Sequence, residues 1–286
     1  MRFLLLPNNL QTDAVEYTSS LAVKLKKLGH TPLILQESAT DGRFSGVEIW
    51  MPDQSDPDML LIAGGDGTVL RALRQLGRCD LPVWGVNFGH LGYLTECEPD
   101  GAEAALERIL SGAYTVEQRT VLAGELLRAD GGQGASFLAF NEANICRAAM
   151  ARALRLELSV GGSFVRSLSA DGIILSTPTG STAYNFSAGG PILLPTMDCF
   201  AITSVCPHAA LSCALVADGS DTVSVRVHIA QQEPGAAPLL VADGCERFEL
   251  RDGDEVRMFR AAEKLRLVKT CRENFYARLQ QKLAQG

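Results

Sequence analysis

The first hundred residues alternate between short apolar runs and segments with helical spacing. Phe3–Leu6 is an apolar run stopped by Pro7 and predicts a first strand. Val15, Ala22, Leu25 and Leu28 then fall roughly on one helical face, with Asp13 and Glu16 at capping-box spacing and Gly29 as the stop. Leu33–Leu35 predicts a second strand. Met59–Ala63 is wholly apolar, as expected of a strand buried on both faces of a parallel sheet. A helix starting near Thr68 carries Leu70, Leu73 and Leu76 and ends at Gly77, and Pro82–Val86 is a further strand. Strands alternating with helices imply an open α/β sheet with right-handed crossovers.

From Asp100 the pattern changes. Asp100 and Glu103 are spaced to cap one more helix, holding Leu106, Ile109 and Leu110 and ending at Ser111-Gly112. Beyond it the chain reads as strands and turns. Leu156, Leu158 and Val160 alternate into Gly161-Gly162, a hairpin signal, and Val223, Val225, Val227 and Ile229 alternate as well. Asp130-Gly131-Gly132, Asp243-Gly244 and Asp252-Gly253 mark turns. This spacing predicts an all-β region from about Gly112 to Val268. Glu273–Leu283 returns to helical character, with Phe275, Leu279 and Leu283 four apart.

Composition narrows the function classes. A hydrophobic share of 47% in 286 residues supports a sizeable core. The net charge of −7 leaves no global basic field for nucleic acid or anionic lipid, so any phosphate site must be built locally. Leu4–Leu6 is too short for a signal-peptide core, and no stretch is long and apolar enough to span a bilayer. The eight cysteines show no metal-ligand spacing. Cys199, Cys206 and Cys213 read as reduced, buried small side chains of a cytoplasmic protein, and His208 as structural.

The candidate chemistry sits in four motifs. Gly64-Gly65-Asp66-Gly67-Thr68 follows an apolar strand and opens a helix, where an open α/β sheet places ligands. It has no lysine for a Walker loop, and Leu70 stands where a dinucleotide fingerprint needs its third glycine. A carboxylate at Asp66, among phosphates, suits a proton acceptor or a partner of Mg²⁺; otherwise it is a helix N-cap. Asn87-x-Gly89-x-Leu91-Gly92 leaves the next strand at the same edge of the sheet. Asn141-Glu142 offers an amide and a carboxylate to ribose hydroxyls or an adenine edge. The longest, DGIILSTPTGSTAYNFSAGGP at Asp171–Pro191, passes from a buried strand into a dense run of hydroxyls and glycines. Such a run suits close approach to a phosphate-bearing ligand, and Tyr184 adds a ring that can cover a base or sugar. Arg147 and Arg166 are further candidates to meet phosphate.

Together GGDGT at Gly64–Thr68, NFGHLGYLT at Asn87–Thr95, FNEANI at Phe140–Ile145 and the Asp171–Pro191 motif resemble the NAD kinase family, in the family's order. Val205-Cys206-Pro207-His208, the Asp243-Gly244 turn and the closing NFYARLQQKL at Asn274–Leu283 are similar to it too. The resemblance implies an α/β domain over 1–99 carrying the GGDGT loop, a β-sandwich NAD-binding domain over 100–270, and a C-terminal helix over 271–286 returning to the first domain. It implies phosphoryl transfer from ATP, or polyphosphate, to the adenosine 2′-hydroxyl of NAD, with Mg²⁺ or another divalent cation. It implies a homodimer or homotetramer, with no nucleic-acid or membrane partner. Asp66 matches the catalytic aspartate, and Gly65, Gly67, Thr68 and Asn87 the phosphate-binding positions. Asn141, Glu142, Asp171, Ser181, Thr182, Ala183, Tyr184, Ser187 and Asp243 match the NAD-binding positions, and no protein metal ligand is assigned. Cys213-Ala214 replaces a usual Arg-Pro, Tyr93 a usual Phe, and Gln285 a usual Trp; none of these removes a matched pocket group. Diacylglycerol kinases and phosphofructokinases share a GGDG-type loop but lack TPTGSTAY. A non-catalytic NAD sensor would not need Asp66.

Overall fold

The computed structural model describes residues 1–40, 42–90, 92–148, 152–208, 213–229, 237–271 and 275–285. Leu91, Glu273 and Asn274, which figure in the motifs above, lie outside the described residues. The chain divides into two compact units: Met1–Gln118 with Leu265–Gly286, and Arg119–Lys264.

The first unit opens with β1 (Arg2–Pro7), α1 (Thr12–Lys27), β2 (Thr31–Ile34), β3 (Glu48–Ile49) and β4 (Met59–Ala63). There follow α2 (Asp66–Leu76), β5 (Pro82–Val86), α3 (Ala102–Leu110) and β6 (Thr115–Arg119). The second unit holds β7 (Leu122–Leu127), β8 (Ala135–Ala139), β9 (Glu142–Cys146), β10 (Leu154–Val160), β11 (Ser163–Ala170) and β12 (Gly172–Ser176). After the short α4 (Tyr184–Ser187) come β13 (Cys199–Val205), β14 (Leu215–Asp218), β15 (Val223–His228), β16 (Leu239–Ala242), β17 (Glu246–Glu249) and β18 (Glu255–Arg260). The first unit then resumes with β19 (Leu265–Lys269) and α5 (Phe275–Gln285).

The first unit is a seven-stranded sheet in the order β3-β2-β1-β4-β5-β19-β6, parallel from β3 to β19. The chain runs outward from β1 through α1 to β2 and β3, then restarts at β4 on the other side of β1 and runs through α2 to β5. The carboxyl ends of β1 and β4 therefore flank the point where the strand order reverses, the place where such sheets bind ligands. Every residue of β4 is buried, as its wholly apolar sequence predicts. Phe3, Leu5, Leu61 and Trp84 pack with Val15, Leu25, Leu106 and Ile109 of the helices.

Several sequence expectations are corrected here. Neither capping box forms: Gln11 precedes α1 and Gly101 precedes α3, both without a side-chain cap bond. α2 begins at Asp66, two residues before the predicted start. The first unit extends past residue 99, because Ala102, Ala105, Leu106 and Ile109 bury against its core. β6 and β19, read from their strand pattern as part of the β domain, belong to the parallel sheet. β19 pairs with β5 at Pro82 and Val83, a partner that periodicity cannot reveal. Among the described side chains of α5 the buried one is Arg278, whereas Leu283 of the predicted apolar stripe is exposed.

The second unit is a sandwich of two six-stranded antiparallel sheets, β11-β10-β15-β18-β7-β8 and β14-β13-β12-β9-β16-β17. Leu156, Leu158, Val225 and Val256 of one sheet share a core with Ile173, Leu175, Phe200, Ile202 and Leu240 of the other. The predicted hairpin joins β10 and β11 through Gly161 and Gly162, at φ 57° and 78°, a conformation that favours glycine. β12, the strand that leads into the long motif, is buried along its length and central in its sheet. All eight cysteines are free, but Cys206 and Cys213 are exposed rather than buried.

Candidate active site

In the first unit the chemistry gathers at the carboxyl end of β4. Gly65 is the N-cap of α2, so Asp66 is its first residue and not its cap. The Asp66 carboxylate turns instead to the loop after β5. There it accepts the amide of Tyr93 at 2.7 Å through Oδ2 and that of Leu94 at 2.9 Å through Oδ1. The Asp66 and Gly67 amides precede the first bonds of α2, which run from Thr68 and Val69 to the Gly65 carbonyl, and this leaves donors for an anion beside the carboxylate. Gly65 and Asp66 are half-buried and Gly67 is exposed. Thr68 is buried, and a side chain on Gly64 would collide with it, so the glycine lets the helix start close against β4.

Asn87 is held within its own turn. Its Oδ1 accepts the Gly89 amide at 3.1 Å, and its Nδ2 donates to Glu98 Oε1 at 2.9 Å. The predicted phosphate ligand thus shapes the loop that faces Gly64, whose carbonyl accepts the Phe88 amide. Across the point of reversal, the Asn8 amide after β1 donates to the Ala63 carbonyl, and Arg71 on α2 reaches Asn8 Oδ1 at 3.2 Å. Thr68 and Arg71 line a cavity of about 260 Å³ with Pro7, Asn9 and Leu10.

In the second unit three motifs converge. The Asp243 carboxylate accepts the amides of Phe140, Asn141 and Glu142 at 2.9, 2.8 and 3.1 Å. Asp243 itself holds φ 45°, a strained conformation for a non-glycine residue. Its carboxylate fixes the Asn141-Glu142 turn. Thr177 ties the long motif to the same turn: its amide donates to the Asn141 carbonyl and its hydroxyl to the Phe140 carbonyl. A side chain on Gly180 would collide with the Asn141 backbone, so only glycine permits this approach.

Glu142 is 8% exposed and its Oε2 is an orphaned buried oxygen. Burial first, and the nearby Asp243 charge second, push its pKa up to about 7. The Glu142 oxygen is thereby left open to a hydroxyl or amine donor.

The long motif separates into supports and exposed faces. Ser181 is fully buried, and its hydroxyl donates to the Pro178 carbonyl and accepts the Leu193 amide, so it braces the loop from within. Asn185 does the same, donating to the carbonyls of Ser181 and Pro191 and accepting the Thr203 hydroxyl. Thr182 and Ala183 are half-buried, whereas Tyr184 and Ser187 are exposed. Asp171 is engaged by Arg147, whose Nε approaches Oδ1 at 2.6 Å; that guanidinium holds the Asp171 carboxyl below its ordinary range. Arg147 is thereby accounted for by a carboxylate rather than a phosphate. Arg166 reaches Ser204 Oγ at 3.3 Å.

Residues 26–114 match the ATP-NAD kinase N-terminal domain, and residues 140–270 match the ATP-NAD kinase C-terminal domain. An NAD kinase of Symbiobacterium thermophilum is 38% identical over 286 residues, covering 99% of each chain. The chain belongs to the NAD kinase family. Two solved structures share the fold. A yeast NADH kinase complexed with NADH superposes with a TM-score of 0.89 at 21% identity, covering 99% of this chain and 87% of that one. An NAD kinase from Archaeoglobus fulgidus in complex with ATP gives 0.74 at 24% identity, covering 98% and 99%.

In the two units of this NAD kinase fold, sequence reasoning missed four residues that shape the candidate loops, Arg71 and Arg278 in the first and Thr177 and Asn185 in the second. Thr177 and Asn185 lie inside the quoted motif but carry no signal that separates a brace from a ligand. Arg71 follows Gly67 by four residues and Thr68 by three, one turn along α2 on their face, so its charge at the switch point was open to helical-wheel reasoning. Arg278 lies in the C-terminal motif and has no local signal at all.

Proposed function

We propose that this NAD kinase transfers the γ-phosphoryl group of ATP to the adenosine 2′-hydroxyl of NAD, with Asp66 as proton acceptor. The observation that carries the reading is the Asp66 carboxylate itself. It stands at a helix N-terminus, does not cap that helix, and is aimed by two amides of a neighbouring loop. In the step, the 2′-oxygen attacks the γ-phosphorus and its proton passes to Asp66. The bond from the γ-phosphorus to the β,γ-bridging oxygen breaks, and ADP leaves. Alignment and a proton acceptor are what a weakly nucleophilic hydroxyl requires.

The amides of Asp66 and Gly67 at the start of α2, together with Arg71, supply positive potential for phosphate. Asn141 and the orphaned Glu142 oxygen suit hydroxyls of a ribose or the edge of adenine. Tyr184 offers a ring face to a base or sugar, with Thr182, Ala183 and Ser187 alongside. Among the described residues no group of three or more acidic, histidine or cysteine side chains is placed to hold a metal. We place a divalent cation such as Mg²⁺ on the donor phosphates, where it would neutralise their charge.

Free cysteines throughout suit the reducing cytoplasm, where we place the protein, and no helix among the described residues is long and apolar enough to cross a membrane. Exposed Phe164 and Val165 on the edge strand β11 suit assembly into a homodimer or homotetramer, which light scattering would test.

The test is direct. Purified protein is incubated with Mg-ATP, or Mg-polyphosphate, and either NAD or NADH, and the product is identified by mass and by conversion with an NADP-specific dehydrogenase. NADP formation supports the reading; binding of NAD without any phosphorylated product would establish a sensor instead.

A further inference from the structure

α5 grips the loop that holds Asp66. Arg278 is 8% exposed and donates through Nη1 to the carbonyls of Gly92 at 3.0 Å and Thr95 at 2.9 Å. Its Nη2 reaches the Glu96 carbonyl at 3.4 Å. The same helical face carries Phe275, whose ring lies 5.9 Å from that of Tyr93, and Lys282, whose Nζ stands 4.3 Å over the Tyr93 ring. The far end of the loop is secured separately. The Glu96 carboxylate accepts the Thr270 amide at 2.7 Å and pairs with Lys269 at 2.9 Å.

The Gly92 carbonyl and the Tyr93 amide belong to one peptide group. Arg278 binds its oxygen, and Asp66 accepts its N–H. Guanidinium, peptide and carboxylate thus form a continuous chain in which each hydrogen bond polarises the next. Burying a guanidinium is costly, and apolar side chains would suffice merely to dock a helix. A planar fork that spans several carbonyls is what a lysine cannot reproduce.

We propose that Arg278 is a positioning residue for Asp66: it holds the Gly92–Tyr93 peptide so that the amides of Tyr93 and Leu94 aim the carboxylate at the reacting hydroxyl. The inference rests on the reading of Asp66 as proton acceptor. The C-terminal helix then serves catalysis without touching either substrate.

The experiment is a double-mutant cycle. Arg278→Met and Arg278→Lys are each made in the wild-type and the Asp66→Asn backgrounds, and kcat, KM and calorimetric NAD affinity are measured. Arg278→Met should lower kcat by about 10- to 100-fold, the effect of a small misplacement of a reacting group. NAD affinity and KM should stay within about twofold, since the loss falls on the transition state. Arg278→Lys should recover part of kcat. In the Asp66→Asn background the same substitutions should cost less than about twofold, because the group they position is gone.

An equal factor in both backgrounds, or a rise in KM with kcat intact, would overturn the role of Arg278. If Arg278→Met does not fold, Arg278→Lys, which keeps the charge and reaches fewer carbonyls, decides by the same comparison of backgrounds. If Asp66→Asn alone turns over like wild type, the reading of Asp66 fails and this inference with it, an outcome distinct from equal losses in the two backgrounds.

Discussion

A Cβ on Gly92 would overlap the carboxylate of Asp66, so the loop after β5 and the start of α2 meet with no room for a methyl group between them. The closeness of the two residues is what lets the Tyr93 and Leu94 amides bond both carboxylate oxygens. Gly92→Ala should therefore displace Asp66 rather than simply crowd the loop. Turnover should fall by about 10²-fold, as for a misplaced reacting group. NAD affinity should change little, because a displaced proton acceptor costs the transition state rather than binding. Steady-state kinetics beside calorimetry would check this; a wild-type kcat would show that the carboxylate does not need its present position.

Asp66→Asn keeps the size of the side chain and removes its ability to take a proton. The amide can still accept one of the two loop N–H bonds, so the fold should survive. We expect kcat to fall by roughly 10²–10⁴, the usual contribution of general base catalysis, with KM nearly unchanged. A variant as active as wild type would reduce Asp66 to a structural link between α2 and the Gly92–Leu94 loop.

Tyr184 is 43% exposed, and α4 places it beyond the buried braces Ser181 and Asn185. Because nothing in the core depends on its ring, Tyr184→Ala should leave the melting temperature unchanged. NAD affinity should weaken about 2- to 10-fold, the range expected for one aromatic contact. Calorimetric titration decides this, and an unchanged Kd would remove Tyr184 from the site.

How far the sequence carried this picture depends on the range of each interaction. β4 was legible to the residue because Met59–Ala63 is wholly apolar and closed by Asp58 and a glycine pair, and β5 because Pro82 opens it and Asn87 ends it. The Gly161-Gly162 hairpin was legible because its chemistry is local. β19 was not: a strand near the C-terminus reads the same whether it pairs within a sandwich or beside β5. The two capping boxes failed for a related reason, since their spacing permits a bond that the packed helix does not make. Within the site, the motifs located the loops but did not sort their side chains. Ser181 and Tyr184 stand three apart in one motif, yet one is an internal brace and the other an exposed ring. Arg278 owes its importance to carbonyls far away in the chain.

Glu142 supplies a pH test that needs no substrate. Its pKa is raised from an ordinary 4.5 to about 7, first by burial and then by the Asp243 charge. Between those values the folded protein holds a proton that the unfolded chain has released. The sign follows from linkage: this contribution to stability is fully present below about pH 4.5 and is lost as pH rises through about 7. Glu142→Gln keeps a neutral side chain of the same shape at every pH and cannot show the loss. The melting temperature of the variant, relative to wild type, should therefore climb as pH is raised from about 5 to about 8. Bound NAD should flatten the wild-type profile if the orphaned Glu142 oxygen is where a ligand hydroxyl is received, because that contact stabilises the charged form. A constant difference between variant and wild type across the range would show that the carboxyl titrates normally and is not desolvated in the folded protein.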